Sequence, residues 1–340
     1  MASPYDGDVA QELAIDLGTT RCRMASREHG LVVDQPTVVA IDGRTRAVVA
    51  IGTNAQQMIG STTKPTRAAA PIVEGALADY DVAVRMFRYL YRVGGGGRFG
   101  RPKVILSVPG TATAIERRAL GKAAVEAGAT SVRLVTQPLA AALELELPLD
   151  QPVGSMVCDF GGGNSEMAVL SLGGIVGIRG LRIGGRNLDD AIAAHIRSTY
   201  GVVVPHHLVN EVKEQVASAT VPTTDRSYAL LDRSAATGEP EQVVLGTAEL
   251  QACIDELIRQ ITDATVQCLS EAPPEMSQDI IFQGIHLIGG GSQLRGFPER
   301  LSQSTDVPVH EHDDPASIVV SGLLRCFALK GRMAEILQKV

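Results

Sequence analysis

Two aspartates, Asp16 and Asp159, each stand at the end of an apolar run and directly before a glycine turn. The first phrase, Glu12 to Thr20, reads ELAIDLGTT, and the second, Ser155 to Ser165, reads SMVCDFGGGNS. A second apolar run follows each turn, so each phrase predicts a strand, a tight turn and a strand. Small residues let backbone amides approach phosphate oxygens, and carboxylates face the water shell of Mg²⁺. One copy would indicate only a hairpin, whereas two predict a duplicated fold with a nucleotide between its halves.

Two arginines and a glutamine are further candidates near the first turn. Arg21 and Arg23 lie two residues apart on a predicted strand and therefore project to one face. They could neutralise a β- or γ-phosphate, and the alternative is a pair of solvated arginines. Gln137 follows the predicted strand Val132 to Val135 and precedes a helix with Pro138 at its first position. Gln137 could orient a water for attack on a γ-phosphate but cannot act as a general base, and the alternative is a local hydrogen bond.

A third glycine turn, Gly289 to Ser292, follows the predicted strand Ile285 to Ile288. Alone it is a weak signal, but beside the other two turns it predicts the adenosine side of the site. The predicted helix Leu208 to Ala219 carries Asn210, Lys213 and Glu214 on one face. These side chains could reach ribose or adenine, and the alternative is a solvated helix face.

The composition is that of a globular protein with more than one domain. The chain has 340 residues, 45% hydrophobic and 20% charged, and strands alternate with helices in both halves, which predicts an α/β architecture. The net charge of −7 argues against nucleic-acid binding. The five cysteines are scattered, so we expect core residues in a reducing cytosol rather than zinc ligands or disulfides. No apolar stretch approaches the ~20 residues needed to span a bilayer, the N-terminus carries no signal-peptide pattern, and neither HExxH nor GxSxG occurs.

Taken together, these residues resemble the actin superfamily of ATPases, specifically its bacterial MreB branch with the Mbl proteins. The resemblance runs from about Leu13 to about Leu329. It includes GALADYD from Gly75 to Asp81, QPLAAA from Gln137 to Ala142, and GGGSQLRG from Gly289 to Gly296.

The resemblance implies an actin-like (ribonuclease H-like) duplicated fold, with two α/β domains around a cleft that binds ATP and Mg²⁺. A flexible tail over 1–12 precedes domain I over 13–150, with a small subdomain at about 32–75. Domain II covers 151–320, with a small subdomain at about 185–250, and a C-terminal helix over 321–340 returns to domain I.

The resemblance also implies the site residues. The expected catalytic residues are Gln137, Asp159 and Asp16, the two aspartates contacting the metal through water. The expected phosphate-binding residues are Gly18, Thr19, Thr20, Arg21, Gly161, Gly162, Gly163 and Asn164. The expected nucleoside-binding residues are Asn210, Lys213, Glu214, Gly289, Gly290, Gly291 and Ser292.

Members of this family polymerise into filaments under the inner face of the cell membrane and guide cell-wall synthesis proteins, which sets cell shape. The resemblance therefore implies a cytoplasmic, peripherally attached protein whose partners are itself, the membrane and that machinery. The matching membrane loop contains Arg98, Phe99 and Arg101. Burying one aromatic gives roughly 1.5–3 kcal/mol and each nearby cation about 1 kcal/mol. That is marginal for a monomer and sufficient for many copies in a filament.

The sequence departs from the family at the catalytic position, where the family glutamate is Gln137, and at Asn164, where the family has threonine. Arg21 occupies the position of the family's asparagine in the first phosphate turn, and Asn210 occupies the position of a nucleoside-contacting glutamate. Slow ATP hydrolysis coupled to filament formation is expected, and an ATP-binding, weakly hydrolysing scaffold is the alternative. A heat-shock-chaperone-like ATPase domain and a sugar kinase share the core and are the remaining alternatives.

Overall fold

The structure is a computed structural model that describes residues 11–58, 66–94, 101–221, 224–233 and 240–339. The chain divides into two compact units. Unit 1 comprises Met1–Pro152, Ser171–Gly174 and Ser317–Val340, and unit 2 comprises Val153–Leu170 and Ile175–Ala316.

The first ten strands and first four helices of the described residues lie in unit 1. The strands are β1 (Glu12–Leu17), β2 (Arg21–Ser26), β3 (Gly30–Pro36), β4 (Val39–Asp42), β5 (Val48–Ile51), β6 (Thr66–Ala69), β7 (Ile72–Val73), β8 (Ala76–Leu77), β9 (Lys103–Val108) and β10 (Ser131–Thr136). The helices are α1 (Thr53–Met58), α2 (Tyr80–Val93), α3 (Ala114–Glu126) and α4 (Gln137–Glu144).

The next elements form unit 2, and the chain then returns to unit 1. The strands are β11 (Ser155–Phe160), β12 (Ser165–Ser171), β13 (Gly174–Leu181), β14 (Ser227–Arg233), β15 (Pro240–Gly246), β16 (Ile285–Ile288) and β17 (Val309–His310). The helices are α5 (Gly185–Tyr200), α6 (His206–Val216), α7 (Thr247–Ser270), α8 (Pro274–Gln283) and α9 (Phe297–Thr305). The elements that follow in unit 1 are α10 (Ile318–Arg325) and β18 (Gln338–Lys339).

The main sheet of unit 1 has the strand order β18-β10-β9-β1-β2-β3, with β1 parallel to β9 and antiparallel to β2. Alternate residues of β1, including Leu13 and Ile15, join the core that α2 and α3 complete. Asp16 therefore points to the opposite face, where α10 packs against β1, β2, β9 and α4. A separate sheet of order β5-β4-β6 and the β7–β8 ribbon lie between β3 and α2 in the chain.

The main sheet of unit 2 has the order β13-β12-β11-β16-β17, and β11 is antiparallel to β12 and parallel to β16. Every residue of β11 and β12 is buried, because both faces of these central strands are covered. Helices α5, α6, α7 and α9 contribute to the core cluster. Strands β14 and β15 pair antiparallel, and their Leu230, Val243 and Leu245 join this cluster.

Helix boundaries agree with the local signals, except near the C-terminus. Thr113 and Glu116 form a capping box at the start of α3, the spacing that such a box requires. The predicted helix over 321–340 is wrong in extent: α10 ends at Arg325, and short 3₁₀ turns follow at Cys326–Ala328 and Gly331–Ile336. Gly331 has φ +58°, which interrupts helical geometry, and β18 then pairs antiparallel with β10.

The cysteines are free thiols, and four of them, Cys22, Cys158, Cys268 and Cys326, are buried, as predicted for core residues. Cys253 is half-buried. Burial raises the pKa of the Cys158 thiol to about 12. None of the helices within the described ranges combines the length and apolar character that a bilayer crossing requires.

Candidate functional site

The two repeated phrases fold into the same turn. In unit 1 the amide of Gly18 donates to the carbonyl of Arg21 at 3.1 Å, and in unit 2 the amide of Gly161 donates to the carbonyl of Asn164 at 3.0 Å. A Cβ on either glycine would lie 2.9 Å from that same carbonyl oxygen, closer than side chains tolerate. Glycine is therefore required at the same point of both turns, which is the structural counterpart of the repeated sequence.

Asp16 is buried in unit 1 and accepts hydrogen bonds from the end of β9 and from the start of α4. The hydroxyl of Ser107 donates to Asp16 Oδ1 at 2.5 Å, and Gln137 Nε2 lies 3.4 Å from the same oxygen. Burial raises the pKa of the Asp16 carboxyl above its ordinary value. The Ser107 hydrogen bond and the charge of Arg23 act in the opposite direction.

Gln137 stands in the first turn of α4, directly after β10, as the sequence predicts. Its amide nitrogen faces Asp16, while its Oε1 is buried and has no hydrogen-bond partner among the described residues. A buried acceptor without a partner is normally satisfied by a water molecule or a ligand, so a hydrogen-bond donor can be placed here beside Asp16.

Ser107 and Thr19 contribute contacts that the sequence reasoning missed. Ser107 lies on β9, one position beyond the pair Ile15 and Leu106, so the parallel register places it next to Asp16. A signal was available in the sequence, because Ser107 is the one polar residue in the otherwise apolar run VILSV from Val104 to Val108. Thr19 is buried, and its hydroxyl accepts the amide of Gly75 at 3.0 Å.

The arginines of β2 differ in their surroundings. Arg21 is half-exposed, and its Nε lies 2.7 Å from Asp34 Oδ1 on β3. Arg23 is largely buried and stands directly opposite Asp16 in the β1–β2 ladder. The backbone carbonyl of Thr20 accepts the amide of Thr37 at 2.9 Å, which fixes the end of the turn.

In unit 2 the third glycine turn packs directly against the second phrase. A Cβ on Gly289, which has φ +84°, would lie 2.3 Å from Asp159 Oδ1, and a Cβ on Gly291 would overlap the ring of Phe160. A Cβ on Gly290 would contact nothing within 4 Å, so its backbone is open. The hydroxyl of buried Ser292 donates to the carbonyl of Gly289 at 2.6 Å and closes the turn.

The start of α5 lies against the turn that contains Gly161, Gly162 and Gly163. Gly185 and Arg186 donate backbone hydrogen bonds to the carbonyls of Gly161 and Gly162 at 3.0 and 2.8 Å. A Cβ on Gly184 would come within 2.5 Å of the Gly163 amide nitrogen, so this close approach requires glycine.

Lys213 of α6 reaches the same place. Its Nζ donates to the carbonyl of Gly185 at 3.1 Å and lies 2.8 Å from Asp189 Oδ1. Burial raises the pKa of Asp189, and the Lys213 charge opposes that shift. Asn210 and Glu214 instead bond each other at 2.7 Å on the exposed side of α6.

Two of the three membrane-loop candidates, Arg98 and Phe99, lie outside the described residues. The third, Arg101, donates from Nε to the carbonyl of Gly128 at 3.3 Å.

In each unit taken by itself, the residues present fit phosphate oxygens and the water shell of Mg²⁺. Asp16 and Asp159 are buried carboxylates beside glycine turns that leave no room for a Cβ, and the Gln137 oxygen is unpartnered among the described residues. Carboxylates that act through water, together with close backbone amides, are the donors such a group uses.

This fold, with one strand–turn–strand phrase used twice, is of the actin-like class. It is similar to MreB5 of Spiroplasma citri bound to ADP, with a TM-score of 0.87 and 27% identity over 93% of this chain and 95% of that chain. The MamK double helical filament is similar in fold, with a TM-score of 0.80 and 22% identity over 94% of this chain and 99% of that one. The predicted actin-like fold class is therefore confirmed.

The chain belongs to the MreB/Mbl protein family, whose model matches residues 10–334. It is 36% identical to the cell shape-determining protein MreB of Haemophilus influenzae over 93% of this chain and 92% of the relative. It is 30% identical to the cell shape-determining protein Mbl of Bacillus subtilis over 92% of this chain and 94% of that relative. The resemblance read from the sequence is thereby confirmed.

Proposed function

We propose that the protein is an ATP-binding bacterial actin homologue that polymerises into membrane-associated filaments and helps organise cell-wall synthesis and cell shape. The observation that carries the nucleotide proposal is the glycine turn that recurs in both units, each time with a buried carboxylate two residues before its glycine. The similar MreB5 of Spiroplasma citri is described as bound to ADP and, in a second structure, to AMPPNP.

In this proposal the backbone amides of the two turns bind the phosphates, and Asp16 and Asp159 hold the water shell of Mg²⁺. Bound Mg²⁺ would neutralise phosphate charge. The open backbone at Gly290 and the buried Ser292 turn form the adenosine side, with Lys213 fixing the start of α5 next to it. Asn210 and Glu214 are proposed nucleoside contacts at the exposed side of α6.

Gln137 is the proposed water-positioning residue. Its Nε2 faces Asp16, which leaves Oε1 as the acceptor for a water proton. Because an amide cannot take up that proton, hydrolysis would be slow. The same observation favours a second candidate function, in which ATP is a structural ligand of a scaffold filament.

Sedimentation with ATP–Mg²⁺, with ADP–Mg²⁺ and without nucleotide, alongside phosphate release, tests this proposal. Pelleting with ATP and slow phosphate release supports a filament-forming ATPase, and Gln137→Ala should then abolish release while nucleotide still binds. Pelleting without release favours the scaffold. Clear nucleotide binding without any pelleting would contradict the filament proposal, and no nucleotide binding would contradict all of it.

Membrane attachment is proposed to depend on Phe99 and its neighbouring arginines, and on polymerisation. The variant Phe99→Ser should lose pelleting with anionic liposomes under conditions where filaments form. Phe282 of α8 is 80% exposed, so Phe282→Ser is a control that removes an exposed aromatic ring outside the loop. Equal liposome pelleting of the Phe99→Ser protein and the unaltered protein would contradict attachment through this loop.

A further inference from the structure

A row of polar side chains crosses the main sheet of unit 1 beneath the first glycine turn. Its members are Ser107 on β9, Asp16 on β1, Arg23 on β2 and Asp34 on β3, each next to its neighbour across the strands. Directly opposite residues of neighbouring strands project to the same face. Arg23 is therefore the cation nearest to Asp16 along this row, and its side chain is only 13% exposed.

The guanidinium of Arg23 is only partly paired with a carboxylate, whereas that of Arg21 is already paired with Asp34. Arg21 binds Asp34 twice, through Nε to Oδ1 at 2.7 Å and through its terminal nitrogen to the backbone carbonyl at 3.1 Å. Arg23 Nε is 3.5 Å from the other oxygen of Asp34, and it is buried without a hydrogen-bond partner among the described residues. Its nitrogens make no direct ion pair with Asp16 within the described part of the chain, although the charge acts on that carboxyl.

A guanidinium that is mostly buried and only partly paired gains from a second anion, because its desolvation has already occurred. Its planar donors match phosphate oxygens in pairs. A fixed cation beside Asp16 also weakens the attraction of that carboxylate for a second cation such as hydrated Mg²⁺. Both effects shift phosphate neutralisation from the metal to the protein.

We propose that Arg23, and not Arg21, is the cation that contacts the phosphate chain of a bound nucleotide, and that it makes nucleotide binding less dependent on Mg²⁺. This inference rests on the proposed nucleotide-binding function. It assigns the phosphate contact to the buried arginine of the pair, whereas the exposed one is retained by Asp34.

The test is the dissociation constant of a fluorescent ATP analogue, measured by anisotropy in Mg²⁺ and in EDTA. The chain contains no tryptophan, so a label on the nucleotide reports without tryptophan background. We expect the ratio of the EDTA value to the Mg²⁺ value to rise at least about tenfold in Arg23→Met, which corresponds to loss of a charged hydrogen bond. Arg21→Met should not raise the ratio, and Arg27→Met, which removes an exposed arginine paired with Glu12 just after β2, is the matched control that should leave it unchanged.

Arg23→Lys keeps the charge without the planar donors and should retain most of the low Mg²⁺ dependence. If Arg23→Met does not fold, Arg23→Lys still provides a readout of the role of the side chain. Melting temperatures are recorded for each protein to detect misfolding. An unchanged ratio in both Arg23 variants, or a raised ratio in Arg21→Met alone, would overturn the inference while the proposed nucleotide binding stands. Absence of binding by the unaltered protein in Mg²⁺ and in EDTA would overturn both.

Discussion

The hydrogen bond from Ser107 to Asp16 makes a quantitative prediction about unit 1. Both residues are buried, and the donor–acceptor distance is 2.5 Å. A hydrogen bond to a charged group contributes about 1.5–3 kcal/mol, and the lost hydroxyl leaves little cavity. We therefore expect Ser107→Ala to lower the free energy of unfolding of unit 1 by about 2 kcal/mol at neutral pH, roughly 30-fold in the opening constant.

Amide hydrogen exchange read by mass spectrometry is the appropriate assay, because a chain of two units need not unfold in one step. Peptides from β1 and β9 report unit 1, and peptides from β11 and β12 serve as the internal reference in unit 2. Thr136→Val is the matched control: Thr136 Oγ1 is buried without a hydrogen-bond partner among the described residues, so its removal should cost nothing.

A double-mutant cycle with Asp16→Asn separates the charged hydrogen bond from packing. In that background the partner is neutral, and Ser107→Ala should cost only about 1 kcal/mol. The coupling free energy is then about 1 kcal/mol. A loss below about 0.5 kcal/mol in the Ser107→Ala protein, or an equal loss in both backgrounds, would refute the reasoning.

Two further predictions concern pH and packing. Burial, together with the charges of the neighbouring histidines, lowers the pKa of His286 from 6.5 to about 4. Between these two pH values the unfolded chain binds a proton at His286 that the folded chain does not. The free energy of unfolding should therefore fall as the pH drops from 6.5 to about 4. Urea unfolding at pH 7.5 and 5 should show a smaller loss in His286→Leu, and equal losses would contradict the assignment. A Cβ on Gly322 would lie 1.8 Å from the carbonyl oxygen of Ala140, so Gly322→Ala should cost about 3 kcal/mol or more in the same measurement. A Cβ on Gly177 would lie 4.0 Å from its nearest neighbour, Val169 Cβ, so Gly177→Ala should change the free energy of unfolding by less than about 1 kcal/mol. Similar losses in the two variants would contradict the close contact of Gly322 with Ala140.

The sequence was most informative where the structure is decided within a few residues. The two glycine turns close on themselves, through Gly18 to Arg21 and Gly161 to Asn164, so the same short pattern produces the same turn wherever it occurs. The position of Gln137 likewise follows from one strand end and one helix start. These features need no information from distant segments.

Contacts that depend on strand register could not be predicted in this way. Ser107 reaches Asp16 because β9 pairs with β1 in one particular register, with a long segment of chain between them. The choice between Arg21 and Arg23 depends on Asp34, which β3 brings alongside β2. The resemblance implied a C-terminal helix over 321–340, but Gly331 and the outer edge of β10 favour a turn and a short strand there.

The buried thiols give each unit its own native reporter of opening. Cys22 adjoins the first glycine turn in unit 1, and Cys158 immediately precedes Asp159 in unit 2, and both side chains are buried. Only a thiolate reacts with an alkylating reagent, and burial raises the pKa of both thiols, so each is protected until its strand opens. Half-buried Cys253 supplies a faster internal standard. Alkylation kinetics of the unaltered protein would therefore time the opening of the two units separately, without an introduced label.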